Sequence, residues 1–222
     1  MSKETIAILG GTGDLGGGLA RRWSRAGYNI VIGSRTLEKG QKAAADLLEE
    51  FPDLSVVGME NLDAAKAADI VVLTVPFEHQ VSTLEVVREG CLGKILIDVT
   101  VPLMPPKVGT VQLPARGSAA QMAQDALGEE VQVVSAFQNV GAMHLREDHP
   151  IACDVLVCGD KRAARDKVIE LVEATGLKGW HAGPLANSAA SEALTSILIT
   201  INRHHKINGS GIVITGESAS EA

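Results

Sequence analysis

The chain has 222 residues, with 20 Lys and Arg against 27 Asp and Glu and a formal net charge of −7, so it lacks the basic face that a nucleic-acid backbone requires. Its length suits one full α/β domain with an appendage, not two ordinary domains. Aromatic residues make up 3% of the chain within a hydrophobic content of 45%, which predicts a core of Val, Ile, Leu and Ala; no apolar run approaches the ~18 residues that cross a bilayer, and no leader segment fits the opening residues.

Residues 6–16 read Ile-Ala-Ile-Leu-Gly-Gly-Thr-Gly-Asp-Leu-Gly, an apolar strand entering Gly11-x-Gly13-x-x-Gly16 and then a helix-compatible stretch. In this pattern Gly11 is expected to allow the tight turn. Gly13 lets backbone N–H groups approach a dinucleotide pyrophosphate, and Gly16 packs the helix against the strand. The second strand, residues 29–35, ends in Ser34-Arg35 where an acidic residue would accept from a ribose 2′-OH. A hydroxyl and a guanidinium, with Lys39 one helical turn on, suit a 2′-phosphate instead. The expected cofactor is therefore NADP(H).

The βα rhythm continues. Residues 36–51 predict a helix, 54–58 a third strand, 61–68 a short helix, and 69–76 and 94–100 buried strands on either side of a helix at 80–89. Residues 101–116 hold four prolines and predict an irregular loop beside the site. A helix at 118–127 and a strand at 131–137 complete the nucleotide-binding sheet. Beyond it come a strand (154–158), a helix (162–176), a strand (178–182) and a long apolar helix (189–205). An edge strand at 211–215 and a frayed tail at 216–222 end the chain. The expected fold is α/β, a doubly wound Rossmann-type parallel sheet over residues 1–150 with a small C-terminal α/β lobe over 151–222. Cys91, Cys153 and Cys158 are an odd set without C-x-x-C spacing, which fits buried, reduced thiols in the cytoplasm. The six histidines are spread along the chain, and His204-His205 reads as a solvated or interface pair, not a metal site.

In such sheets the ligand lies outside the C-terminal strand ends. These carry Thr74-Val75-Pro76-Phe77, Thr100-Val101-Pro102 and residues 137–142. Pro76 and Phe77 either wall a nicotinamide ring or simply end the strand, and His79 either meets the cofactor or opens the next helix. The single tyrosine, Tyr28, precedes the second strand at the wrong end of the sheet, and no Tyr-x-x-x-Lys exists. A site without an evident proton relay suits an acceptor that takes hydride directly into a conjugated ring, such as a flavin or deazaflavin.

Over essentially its whole length the chain resembles the NADPH-dependent reductases of coenzyme F420, a 5-deazaflavin. The carrying segments are 8–16, Gly33-Ser-Arg35 with Lys39, Leu73-Thr-Val-Pro76, 97–102, Ser135-Ala-Phe-Gln-Asn139, Val157-Cys-Gly159, Gly183-Pro-Leu185 and Glu192-Ala-Leu-Thr195. The chain has Gln138 and Ala193 where some members carry His and Ser. The resemblance implies hydride transfer between NADP(H) and F420, without metal, covalent intermediate or catalytic side-chain acid. It implies that Thr12, Gly13, Asp14 and Leu15 hold the pyrophosphate, and that Ser34, Arg35 and Lys39 take the 2′-phosphate. Phe77, Val81 and Ala142 would line the nicotinamide, Val101 and Pro102 would lie near the two stacked rings, and Val75 and Pro76 also belong to the expected cofactor-binding set. Gln138, Asn139, Thr195 and the backbone at Ser210 would face the deazaflavin. Arg203 and Lys206 either steer its charged tail or are ordinary surface cations, and the apolar face of the last helix predicts a homodimer or higher homo-oligomer. The alternatives are a reductase of FMN, FAD or, through a bound flavin, a ferric chelate, and a non-catalytic NADP(H) sensor. An enzyme like pyrroline-5-carboxylate reductase is more distant.

Overall fold

The structure, a computed structural model, describes residues 3–216. In chain order it contains β1 (Thr5–Leu9), α1 (Asp14–Arg25), β2 (Asn29–Ser34), α2 (Leu37–Glu50), β3 (Val56–Glu60), α3 (Asn61–Ala67), β4 (Ile70–Leu73), α4 (Gln80–Cys91), β5 (Ile95–Asp98), α5 (Ala119–Leu127), β6 (Gln132–Ser135), α6 (Ala142–Leu145), β7 (Asp154–Gly159), α7 (Arg162–Ala174), β8 (Lys178–His181) and α8 (Ser188–His205). Single 3-10 turns at Phe77–His79 and Leu185–Asn187 precede α4 and α8.

All eight strands form one sheet in the order β3-β2-β1-β4-β5-β6-β7-β8. Every neighbouring pair is parallel except β6 and β7, where Ser135 opposes Cys158. The first six strands have the doubly wound order whose reversal between β1 and β4 opens a crevice at the C-terminal strand ends.

Alternate residues of the central strands feed two cores, which is why these runs are apolar throughout. Ile6, Ile8, Ile30, Ile32, Ile70 and Val72 face Trp23 of α1 and Leu171 of α7. Ala7, Leu9, Val31, Val71, Leu73 and Leu96 face Leu84 and Val87 of α4. Trp23 is fully buried, donates from Nε1 to the Leu171 carbonyl at 2.8 Å, and meets the Phe137 ring edge-on at 5.8 Å. That one side chain ties α1 to α7 and to the segment after β6.

Several elements differ from expectation. The third strand begins at Val56, two residues late, because its pairing with β2 runs from Ile30 opposite Val56 to Ser34 opposite Glu60. Residues 211–215 form no strand: Asp154 N–H donates to the Ile212 carbonyl at 2.7 Å, but Ile214 N–H is taken by the Asp154 carboxylate at 2.8 Å, which stops the ladder. Of the tail expected to fray, residues 217–222 lie outside the described residues. The inner face of α8 is small and polar, Ser188, Ser191, Glu192 and Ser196, with Leu198 its buried apolar residue. No helix among the described residues is long and apolar enough to cross a membrane.

Candidate functional site

The turn after β1 is held by backbone bonds from Gly10 N–H to the Gly33 carbonyl and from Gly13 N–H to the Gly10 carbonyl, both 3.1 Å. The residue with the left-handed conformation is Gly10, φ +76°, and not Gly11, to which the sequence pattern assigned the sharp turn. Gly11 is required for closeness, since a Cβ there would lie 2.8 Å from the Ile8 carbonyl oxygen. Gly16 packs as expected: a Cβ would stand 2.6 Å from Thr74 Oγ1 and 2.7 Å from Gly11 Cα. At Gly13 a Cβ would come no nearer to the protein than 3.5 Å, so this face of the turn is open. Gly13 is the N-cap of α1 and no side chain caps that helix. Its first-turn N–H groups and the positive end of its dipole are therefore directed at an open anion site.

A cavity of about 550 Å³ begins at this turn and runs along the C-terminal strand ends. Thr12, Gly13, Asp14, Leu15, Ser34, Arg35, Lys39, Val75, Pro76, Phe77 and Val101 of the expected set line it. Ser34 is buried at the end of β2, while Arg35 and Lys39 are exposed, and neither cation has a carboxylate partner among the described residues; Lys42, three residues further on, is paired with Asp46 at 2.9 Å. Two free cations and a hydroxyl around one corner suit a phosphate ester far better than a ribose diol. Asn61 Oδ1 and Thr100 Oγ1 belong to residues lining the same cavity, and both atoms are buried without a hydrogen-bond partner. Open polar atoms and an uncapped helix end fit a polar, phosphorylated ligand.

His79 lines the cavity from the 3-10 turn that leads into α4. Leu103, in the proline-rich loop, also lines it, so that loop borders the site. Val81 lies on exposed α4 surface, and Pro102 is buried behind the wall. Tyr28 sits just before β2, at the opposite end of the strands from the cavity.

Gln138, Asn139, Ala142, Thr195 and Ser210 do not line the cavity. They form a second group beside it. Gln138 donates to the Asp98 carbonyl at 2.8 Å, Thr195 donates from Oγ1 to the Gln138 carbonyl at 2.8 Å, and Asn139 donates to the Ser191 carbonyl at 2.8 Å. Ser210 N–H donates to Asn202 Oδ1 at 3.0 Å. Most of these polar groups thus hold α8 to the segment after β6. Gln138 Oε1 is buried and unpartnered. Phe137 anchors the bend with φ +70°, a rare conformation for an aromatic residue.

Two buried carboxyls brace the floor. Asp98, at the end of β5, accepts from Gln80 Nε2 at 2.6 Å and from Thr100 N–H at 2.8 Å. Burial pushes it up to about 6 against the pull of those bonds. Glu192 of α8 accepts the Ala119 and Ala120 N–H groups at 2.7 and 3.1 Å, capping α5 from another element. Burial pushes it up to about 8, with the two N–H bonds opposing and Asp98 adding to the rise. All three cysteines are free and buried.

Sequence reasoning missed Arg146, the residue that ends α6. It borders one small cleft with Gly11, Thr12, Gly13 and Gly17 and pairs with Asp14 at 2.9 Å, a cation delivered to the glycine turn from the segment after β6. No motif marks it, because a helix of four residues carries no periodicity.

Fold and site together define a dinucleotide-binding protein of the doubly wound class. The family described as NADP oxidoreductase, coenzyme F420-dependent, matches residues 5–102. The chain is 42% identical over 219 residues to the F420-dependent NADP reductase of Methanocaldococcus jannaschii, covering 95% of this chain and 97% of that one. It is also 42% identical over 218 residues to the enzyme of the same description from Methanothermobacter thermautotrophicus, covering 95% and 94%. Among solved structures, a hypothetical protein, SMa0349 from Sinorhizobium meliloti, matches with a TM-score of 0.68 at 24% identity over 85% of this chain and 88% of that one, a likeness of fold. The chain belongs to the family of F420-dependent NADP reductases.

Proposed function

We propose that the protein transfers hydride directly between NADP(H) and coenzyme F420. The observation that carries this reading is the continuous cavity from an uncapped helix N-terminus past two free cations to the ends of β4 and β5, in a chain similar to F420-dependent NADP reductases over nearly its whole length. The α1 amides, with Thr12, Gly13, Asp14 and Leu15, hold the pyrophosphate, and Arg146 balances its charge. Ser34, Arg35 and Lys39 grip the 2′-phosphate. When both are bound, the nicotinamide supplies or takes a hydride at C4 and the deazaflavin does so at C5, which calls for alignment and not for a side-chain acid.

Val75, Pro76, Phe77 and Val101 wall the ring end of the cavity, with Val81 and Pro102 beside it. Gln138, Asn139, Ala142, Thr195 and Ser210 shape the deazaflavin side, where Gln138 Oε1 is a buried acceptor without a partner. Residues 1–150 serve as the nucleotide-binding part and residues 151–222 complete the second pocket. Exposed Ile197, Ile207, Val213 and Ile214 support a homodimer built on α8 and the segment after it. Free, buried thiols suit a cytoplasmic setting.

The test is anaerobic mixing of the purified protein with NADPH and F420, followed by loss of deazaflavin absorbance, with FMN and FAD in parallel. Reduction of F420 alone supports the reading. Reduction of FMN or FAD without F420 assigns another flavin reductase, and tight NADPH binding with no turnover assigns a sensor.

A further inference from the structure

We propose that His144, Glu147 and His149 form a site for a divalent metal ion of the zinc class, outside the nucleotide cavity. One ligand atom from each lies within 4.8 Å of the others. The sequence reading treated the histidines as dispersed, and the curl after α6 brings these two together.

The curl is held independently of any ion. The guanidinium of Arg22, on α1, donates to the carbonyls of His144 at 3.0 Å, Leu145 at 3.1 Å and His149 at 3.2 Å, and also to that of Glu147. One planar donor group thereby gathers the carbonyls that the end of α6 leaves unpaired.

The tautomers carry the argument. His144 Nε2 lies 3.0 Å from the Gly209 carbonyl oxygen and His149 Nδ1 lies 2.8 Å from that of Pro150. A carbonyl only accepts, so both of these nitrogens bear hydrogen, and in the neutral imidazoles the lone pairs fall on His144 Nδ1 and His149 Nε2. Those two atoms face each other at 3.4 Å, with Glu147 Oε2 3.0 Å from His149 Nε2. With both imidazoles neutral, three acceptors converge with no donor among them, an arrangement that calls for a proton or a metal ion between them. Two nitrogens each about 2.05 Å from a tetrahedral zinc are about 3.3 Å apart, close to the separation present. Imidazole N–H groups turned outward onto backbone carbonyls are the usual outer support of metal-bound histidines. Two imidazoles and one carboxylate favour zinc-class ions over calcium or magnesium, and the exposed Glu147 side leaves a fourth position for water.

Such an ion clamps the segment carrying Ala142 and Arg146 to residues 207–211 through the His144–Gly209 bond. It thereby stiffens one edge of both pockets without touching the reacting atoms.

The test is isothermal titration of metal-stripped protein with zinc chloride in the absence of nucleotide, with cobalt(II) substitution to read the ligand field. The expected result is one equivalent bound and a tetrahedral cobalt spectrum. His149→Ala should weaken binding more than about 100-fold, beyond the loss expected from removing an outer-shell partner alone, and the exposed Glu147→Gln at least about tenfold. The double variant His204→Ala/His205→Ala, which removes the exposed pair at the end of α8, should bind as wild type. Zinc should raise the Tm of the wild type and not that of His149→Ala. Absence of saturable binding, binding indifferent to both ligand variants, or binding lost in the His204/His205 variant overturns the proposal. None of these outcomes bears on hydride transfer, which is assayed separately.

Discussion

Arg146 Nη2 lies 2.9 Å from Asp14 Oδ1, joining the segment after α6 to the first turn of α1. A carboxylate at a helix N-terminus stabilises the helix but repels a bound pyrophosphate, and the guanidinium resolves the conflict by neutralising it. Arg146→Ala should therefore raise the NADPH Kd about tenfold, about 1.4 kcal/mol. Adding Asp14→Asn to that variant should recover part of the loss. Fluorescence titration of the wild type, Arg146→Ala, Asp14→Asn and the double variant reads the cycle, and an unchanged Kd in Arg146→Ala would reduce the pair to a surface contact.

Two glycines of the same turn should fail in different ways. Gly16→Ala drives a methyl against Thr74 and Gly11 and should destabilise the fold by about 1–3 kcal/mol, seen as a lower Tm. Gly13→Ala meets no protein atom nearer than 3.5 Å and its φ of −83° suits alanine, so the Tm should hold. Its methyl projects into the space over the helix end, and NADPH affinity should drop at least about tenfold, about 1.4 kcal/mol. Loss of stability in both variants, with affinity intact in the folded Gly13→Ala protein, would contradict this division of labour.

Glu192 sets a pH dependence of stability. Its carboxyl titrates near 8 in the folded protein because burial disfavours the charge, against an ordinary value of 4.5. Between those values the folded state binds more protons than the unfolded state, so this group makes stability fall as pH rises, by roughly 1.4 kcal/mol per unit at most. Asp98 acts in the same direction between 3.8 and about 6. In Glu192→Gln the first contribution vanishes, and the variant should gain on wild type steadily from pH 5 to pH 8. Urea unfolding across that range checks it; parallel pH profiles would show that Glu192 titrates as an ordinary carboxylate.

The nucleotide half was legible because its signals are local. An apolar run buried on both faces, a glycine turn and a cation after the second strand each declare themselves within a few residues, and the corresponding elements lie within one to three residues of expectation, the largest gap being the strand expected over 69–76 that ends at Leu73. What escaped depends on contacts distant in sequence. Arg146 matters only because α6 folds back onto α1, and the His144–His149 approach depends on Arg22 gathering carbonyls from a different helix. Residues 211–215 are largely β-branched and apolar like a strand, yet the Asp154 side chain takes the N–H that a ladder would need. Gln138, Asn139 and Thr195 were placed by resemblance, and the bonds they make to α8 and β5 could not be read from spacing.

The most direct test of the account is calorimetry of NADPH and NADH binding to the wild type and to Arg35→Glu. The wild type should bind NADPH at least about 100-fold more tightly than NADH, about 2.7 kcal/mol, through the charge-assisted bonds at Ser34, Arg35 and Lys39. The variant should lose most of that preference while its NADH affinity stays within about threefold of the wild-type value. Equal affinity for the two dinucleotides in the wild type, or equal weakening of both in Arg35→Glu, would contradict the assignment on which the proposed reaction rests.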